Sequence, residues 1–178
     1  MRLFKPLRVL GLLLVIPAGA IVQLQMLSTM MRTYGAVGVM RDQLQSSGLA
    51  QVTSLRGIPQ FCQDQEFLDG FFYSYAIDVA KIPDAFWATD AARRHWQRGP
   101  FNLDQQMDLE SWAGPEPSRI EGCPKLPVAN SSRFVVTFFS SQSGEFGPWT
   151  ESTRGSGVMI YDTRTSRLYW KYRKYSDS

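Results

Sequence analysis

No charged side chain occurs between Arg8 and Arg32, and these 23 uncharged positions follow directly on Arg2, Lys5 and Arg8. As a helix rising about 1.5 Å per residue they reach about 34 Å, enough to cross a bilayer. The run has two readings. In one, residues 1–20 are a signal peptide. Residues 9–16 are its apolar centre, Pro17 breaks the helix, and Ala18, Gly19 and Ala20 form the small-residue site that a signal peptidase accepts, exposing Ile21. In the other, the segment is retained as a membrane anchor extending to about residue 31. Gln23, Gln25, Ser28 and Thr29 weigh against a span, because the clearly apolar part, 9–22, is only 14 residues long. Both readings leave the positive flank in the cytoplasm and the rest of the chain periplasmic or extracellular, either soluble after cleavage or anchored by one helix.

Two cysteines suit that compartment. Cys62 and Cys123 stand 61 positions apart, without a CxxC pair or neighbouring histidines that would point to zinc or redox chemistry. A single disulfide between them is the expected pairing, and in the chain-entropy model a loop of that length stabilises the fold by about 4 kcal/mol. No metal site and no cofactor motif is expected.

The remaining sequence predicts an α+β fold with a helical middle region and a small C-terminal antiparallel β-sheet ending in a hairpin. Residues 21–56 read as a helical segment. Leu24, Leu27, Met31 and Tyr34 fall at helical spacing, a break is expected near Gly35 and Gly38, and a second helix is expected over 39–51. The methionines here, Met30 and Met31 among them, offer an adaptable partner surface, because thioether chains pack against irregular shapes. Residues 57–178 form the globular domain, helical over 60–121 and β-rich over 130–175. Within "DQEFLDGFFYSYAIDVAK", Phe67, Leu68, Phe71, Phe72, Tyr75 and Val79 fit one helical stripe. A further helix is expected over 84–98, with Asp84 as N-cap and Gly99-Pro100 as the stop. "GPEPSRIEGCPKLP" reads as a surface connection tied back at Cys123.

The C-terminal stretch is β in character. "RFVVTFF" is apolar on both faces, as a central strand requires. A long polar loop follows, and then "GVMIY" and "RLYWKY" flank the turn "DTRTS", where Asp162 and Ser166 bond backbone groups. This turn resembles those of β-propeller blades over about ten residues, with Ser166 where glycine is usual. It occurs once and implies no propeller fold. On the last strand Leu168, Trp170 and Tyr172 share one face and Arg167, Tyr169, Lys171 and Arg173 the other. The second set predicts a solvated basic face, with Lys171 guarding a sheet edge, and it is the candidate partner-binding surface together with Met30 and Met31.

Charge narrows the partner. The net charge is +3, but residues 1–20 carry +3 themselves, residues 21–59 carry +2, residues 60–121 carry −6 and residues 122–178 carry +4. The exported part is therefore neutral overall, which together with export argues against a nucleic-acid partner. His95, the single histidine, lies in "ARRHWQRG" and reads as structural; GxSxG, HExxH and phosphate-binding glycine loops are absent. The expectation is a non-catalytic envelope accessory or interaction subunit docking onto a larger envelope or membrane complex, and touching the membrane through its N-terminal segment if that is uncleaved. The alternative is a small-ligand or glycan-binding module, with a carbohydrate-active hydrolase as its catalytic form. Its marks would be a pocket lined by Trp87, Trp96, Trp112 or Trp149, or paired carboxylates among Asp104, Asp108 and Glu110 or Glu145 and Glu151.

Overall fold

The computed structural model describes residues 5–66, 70–113, 122–127, 130–140, 146–147 and 156–175, with the backbone alone described over 5–20, 29, 32–33, 64–66, 70–72, 94, 112–113, 139–140, 146–147, 156 and 173–175. The chain divides into two compact units, Met1–Ala36 and Val37–Ser178. Helix α1, Lys5–Ser46, starts in the first unit and runs on into the second. It is continuous through Pro17, Gly35 and Gly38, so the expected break and the separate helix over 39–51 are not found. A lone glycine costs a helix only about 1 kcal/mol relative to alanine, too little to end it among good helix formers. Nothing lies within 4 Å of where a Cβ would stand on Gly35 or Gly38. The helix ends before Gly48, whose φ of 74° starts a 3-10 turn, Leu49–Gln51. Among the residues whose side chains are described, no helix is long and apolar enough to cross a membrane. The apolar run 9–16 and the Ala18–Ala20 site lie outside them.

The second unit is built on an antiparallel sheet. Its strands are β1 (Leu55–Glu66), β2 (Gly70–Val79), β3 (Gln97–Arg98), β4 (Phe134–Ser140), β5 (Phe146–Gly147), β6 (Ser156–Asp162) and β7 (Arg167–Tyr175). Their order is β1-β2-β7-β6-β4-β3, with β5 also paired to β4. The reading of the stretch 64–81 as the first helix of a helical region 60–121 is thus overturned: β1 and β2 pair from Leu55 opposite Val79 to Glu66 opposite Gly70. Aromatic residues crowd this stretch, and they gain more on a pleated surface, where they meet cross-strand neighbours, than on an isolated helix stripe. Phe61 stacks on Tyr75 at 5.9 Å and Tyr75 on Trp170 at 4.7 Å, carrying one aromatic row over β1, β2 and β7. Phe67 and Leu68 lie outside the described residues.

Helices cover both faces of the sheet. On one face Phe134, Val136, Phe138, Val158 and Ile160 form a buried cluster with Phe101 and with Leu109 of α4 (Leu103–Ala113). On the other, Trp87 of α2 (Asp84–Trp87) lies 5.5 Å from the ring of Tyr161 and 5.5 Å from Trp96, which follows α3 (Asp90–His95). The single helix expected over 84–98 is therefore two short helices and a strand. Asp84 is not the cap: Pro83 precedes α2, and the side-chain cap in this region is Thr89, whose hydroxyl accepts from the Ala92 amide at 3.2 Å. Helix α4 starts with a reciprocal pair, Gln105 N–H donating to Asn102 Oδ1 at 2.9 Å and Asn102 N–H to Gln105 Oε1 at 3.1 Å.

Cys62 and Cys123 form the expected disulfide, with their Cα atoms 5.3 Å apart. It ties the segment 122–127 to edge strand β1, and Leu126 of that segment packs on the buried cluster. β1 guards its edge with a register shift between Arg56 and Gln60, where Gly57 takes φ 77°, and with Pro59.

Candidate functional site

Strand β7 pairs with β2 on one side and β6 on the other, so it is central, and the expectation of Lys171 guarding an edge is corrected. The basic face is not simply solvated either. Arg167 Nη1 donates to Asp78 Oδ1 at 2.8 Å on neighbouring β2, its Nη2 donates to Gln60 Oε1 at 2.8 Å on β1, and its guanidinium lies 5.8 Å from the Tyr169 ring centre. Tyr169 packs against the buried cluster and Lys171 is half-buried. The Arg173 side chain lies outside the described residues. Part of the charge on this face therefore meets the acidic middle of the same chain. Met30 and Met31 are exposed on α1, at 54% and 66%.

A second group of cations converges where several strands end. A cleft of about 380 Å³ is lined by Lys81, Ile82, Asp84, Arg98, Ser132, Arg133, Thr163 and Arg164. Each wall has a local cause. Ile82 is fixed by its amide, which donates to the hydroxyl of buried Tyr161 at 3.1 Å, and this places Lys81 at the rim. Arg98 ends β3 and donates to Asp84 at 3.1 Å. Gly99 comes so close to the next wall that a Cβ on it would stand 2.4 Å from the Ser131 carbonyl oxygen, so this crossing needs glycine. Asn130 brackets the same crossing, accepting from the Phe101 amide and donating to the Phe101 carbonyl at 3.1 Å. Its side-chain amide is thus committed within the fold.

Arg133 and the β6–β7 turn form the remaining wall. The Asp162 side chain is 2% exposed and accepts from Arg133 Nε at 2.5 Å, from Arg133 Nη2, from the Arg164 amide at 3.0 Å and from the Thr165 hydroxyl at 2.6 Å. Burial opposes its ionisation, but these hydrogen bonds and the Arg133 charge outweigh burial and hold the carboxyl down at about 2. Ser166 closes the turn at φ 56°, the left-handed conformation in which glycine is usual.

His95 is the exposed last residue of α3, and Asp104, Asp108 and Glu110 are exposed on α4. The cleft lining contains none of the four tryptophans expected in a glycan pocket; Trp96 is buried in the core and half-buried Trp87 packs against it and Tyr161, while Trp149 and the Trp112 side chain lie outside the described residues. The sequence reading missed the cleft because its residues come from four distant stretches. Only Asp162, with its turn chemistry, carried a local signal. No protein-family model, curated protein or solved structure matches this chain.

Proposed function

We propose that this protein is an exported, non-catalytic accessory subunit of the cell envelope, which docks onto a larger membrane-associated partner through the apolar surface of α1 around Met30 and Met31. The observation that carries this reading is the exposure of the apolar side chains along this stretch of α1: Ile21, Leu24, Met26, Leu27, Met31 and Tyr34 are each more than half exposed. Successive helix positions turn by about 100°, so these residues point in several directions, and contiguous apolar surface of that kind marks a contact with protein or lipid. The surface remains whether the chain is cut after Ala20 or retained whole, so docking does not depend on which happens. The Cys62–Cys123 disulfide and the basic flank ahead of residue 9 support export.

The test is site-specific photocrosslinking from positions 30 and 31 in native membranes. One defined partner band is expected at each position, absent when the probe is moved to exposed Asp104 on α4. A Met30→Ser, Met31→Ser chain should lose that partner on gentle solubilisation while melting as before. Equal crosslinking from all three positions, or undiminished copurification of the double variant, overturns the reading.

A further inference from the structure

We propose that the cleft at the end of the sheet is a binding site for a phosphoryl group carrying at least two negative charges. This goes beyond the docking reading and is independent of it, since every lining residue belongs to the second unit.

Four cations line the cleft, Lys81, Arg98, Arg133 and Arg164, against one carboxylate, Asp84, which already accepts from Arg98. Asp162 stands behind the wall, almost fully buried, and holds Arg133 by two guanidinium nitrogens. The Arg133 guanidinium is thus held in orientation before any ligand arrives, Arg98 is tethered by its one bond to Asp84, and a guanidinium fork matches the spacing of phosphate oxygens. Lys81 and Arg164 are exposed and make no ion pair among the described residues, so the cleft keeps an uncompensated charge of two. Thr163 spends its hydroxyl proton on the Arg133 carbonyl at 2.8 Å, which leaves the Ser132 hydroxyl as the neutral side-chain donor of the lining. A single carboxylate would leave one of the two free cations unmatched. A phosphate monoester or a pyrophosphate satisfies both, and about 380 Å³ holds a group of sugar-phosphate size.

The experiment uses the full chain in neutral detergent, with inorganic pyrophosphate as the probe and ionic strength held constant with potassium chloride. Pyrophosphate at millimolar concentration should raise the melting temperature, and Lys81→Ser combined with Arg164→Ser should weaken its binding at least tenfold. Because neither side chain has a partner in the fold among the described residues, the unliganded double variant should melt with the wild type. Should it not, Lys81→Arg with Arg164→Lys keeps the charge and should keep most of the binding. Glycerol 3-phosphate and detergent micelles doped with phosphatidic acid give the two sources of the ligand, and the arm that displaces pyrophosphate at lower concentration identifies a soluble ester or a lipid headgroup. Equal stabilisation by citrate or chloride, or pyrophosphate affinity unchanged in the serine double variant, overturns the proposal.

Discussion

Asp162 joins the hairpin turn to the wall of the cleft, and its carboxylate works only while ionised. Its folded-state value of about 2 lies below the ordinary 3.8. A group depressed on folding contributes stability that is fully present above the unfolded value and is lost as the pH falls through the folded one. The window is therefore between about pH 4 and pH 2, and the contribution above it is about 2 kcal/mol. Asp162→Asn keeps the shape but removes the charge that Arg133 faces. The variant should be less stable than the wild type by about 2 kcal/mol at pH 6, with the gap closing as both are titrated toward pH 2. Urea denaturation at pH 6, 4 and 2.5 measures it; a gap that stays constant over that range would show that the ionised carboxylate is not the stabilising species. The residue was legible in advance as a turn former, because its backbone partners lie within three positions. Its ion pair was not, because Arg133 is 29 residues away.

At the scale of elements, the hairpin of β6 and β7 follows the sequence pattern from Asp162 opposite Arg167 onward, and β4 is buried on both faces as its continuous apolar run requires. The β1–β2 hairpin does not follow its first reading. Phe71, Phe72, Tyr75 and Val79 fit a helical stripe, yet Tyr73, Tyr75 and Ile77 alternate equally well with Ser74, Ala76 and Asp78. Periodicity alone leaves such a stretch ambiguous, and its aromatic content, with Gly70 within it, was the better guide. The consequence falls on Arg167. With β2 beside β7, Asp78 stands directly across from it, and the ion pair with the added Gln60 contact joins three strands. Arg167→Ser should then cost about 1 kcal/mol, or roughly 2–4 °C of melting temperature at this chain length. Arg164→Ser, on an exposed turn residue without a side-chain partner among the described residues, should leave melting within about 0.5 kcal/mol of wild type. Calorimetry of the two variants separates the cases, and identical melting of Arg167→Ser and wild type would return this face to a purely solvated role.

For the whole molecule, the order β1-β2-β7-β6-β4-β3 sets the last strand inside the sheet, so the fold is complete only when the C-terminal hairpin has inserted beside β2. β1 is then an edge strand whose backbone ladder among the described residues is with β2, and the Cys62–Cys123 disulfide is the covalent tie between that edge and the segment 122–127 that packs over the cluster around Ile160. The loop it closes contains β2, α2, α3, β3 and α4, so the bond restricts the unfolded chain across much of the second unit. In the chain-entropy model, opening a loop of this length costs about 4 kcal/mol, a large part of the roughly 5–15 kcal/mol that holds a domain folded. Cys62→Ser with Cys123→Ser should lower the unfolding free energy by about that amount and the denaturation midpoint with it, with the largest loss of hydrogen-exchange protection at Leu126 and along β1. Reductant should bring the wild type down to the midpoint of the double variant and leave the variant itself unmoved. If the two proteins instead unfold at one midpoint without reductant, the edge strand is held by its β2 ladder and side-chain packing, and the bond adds nothing to stability.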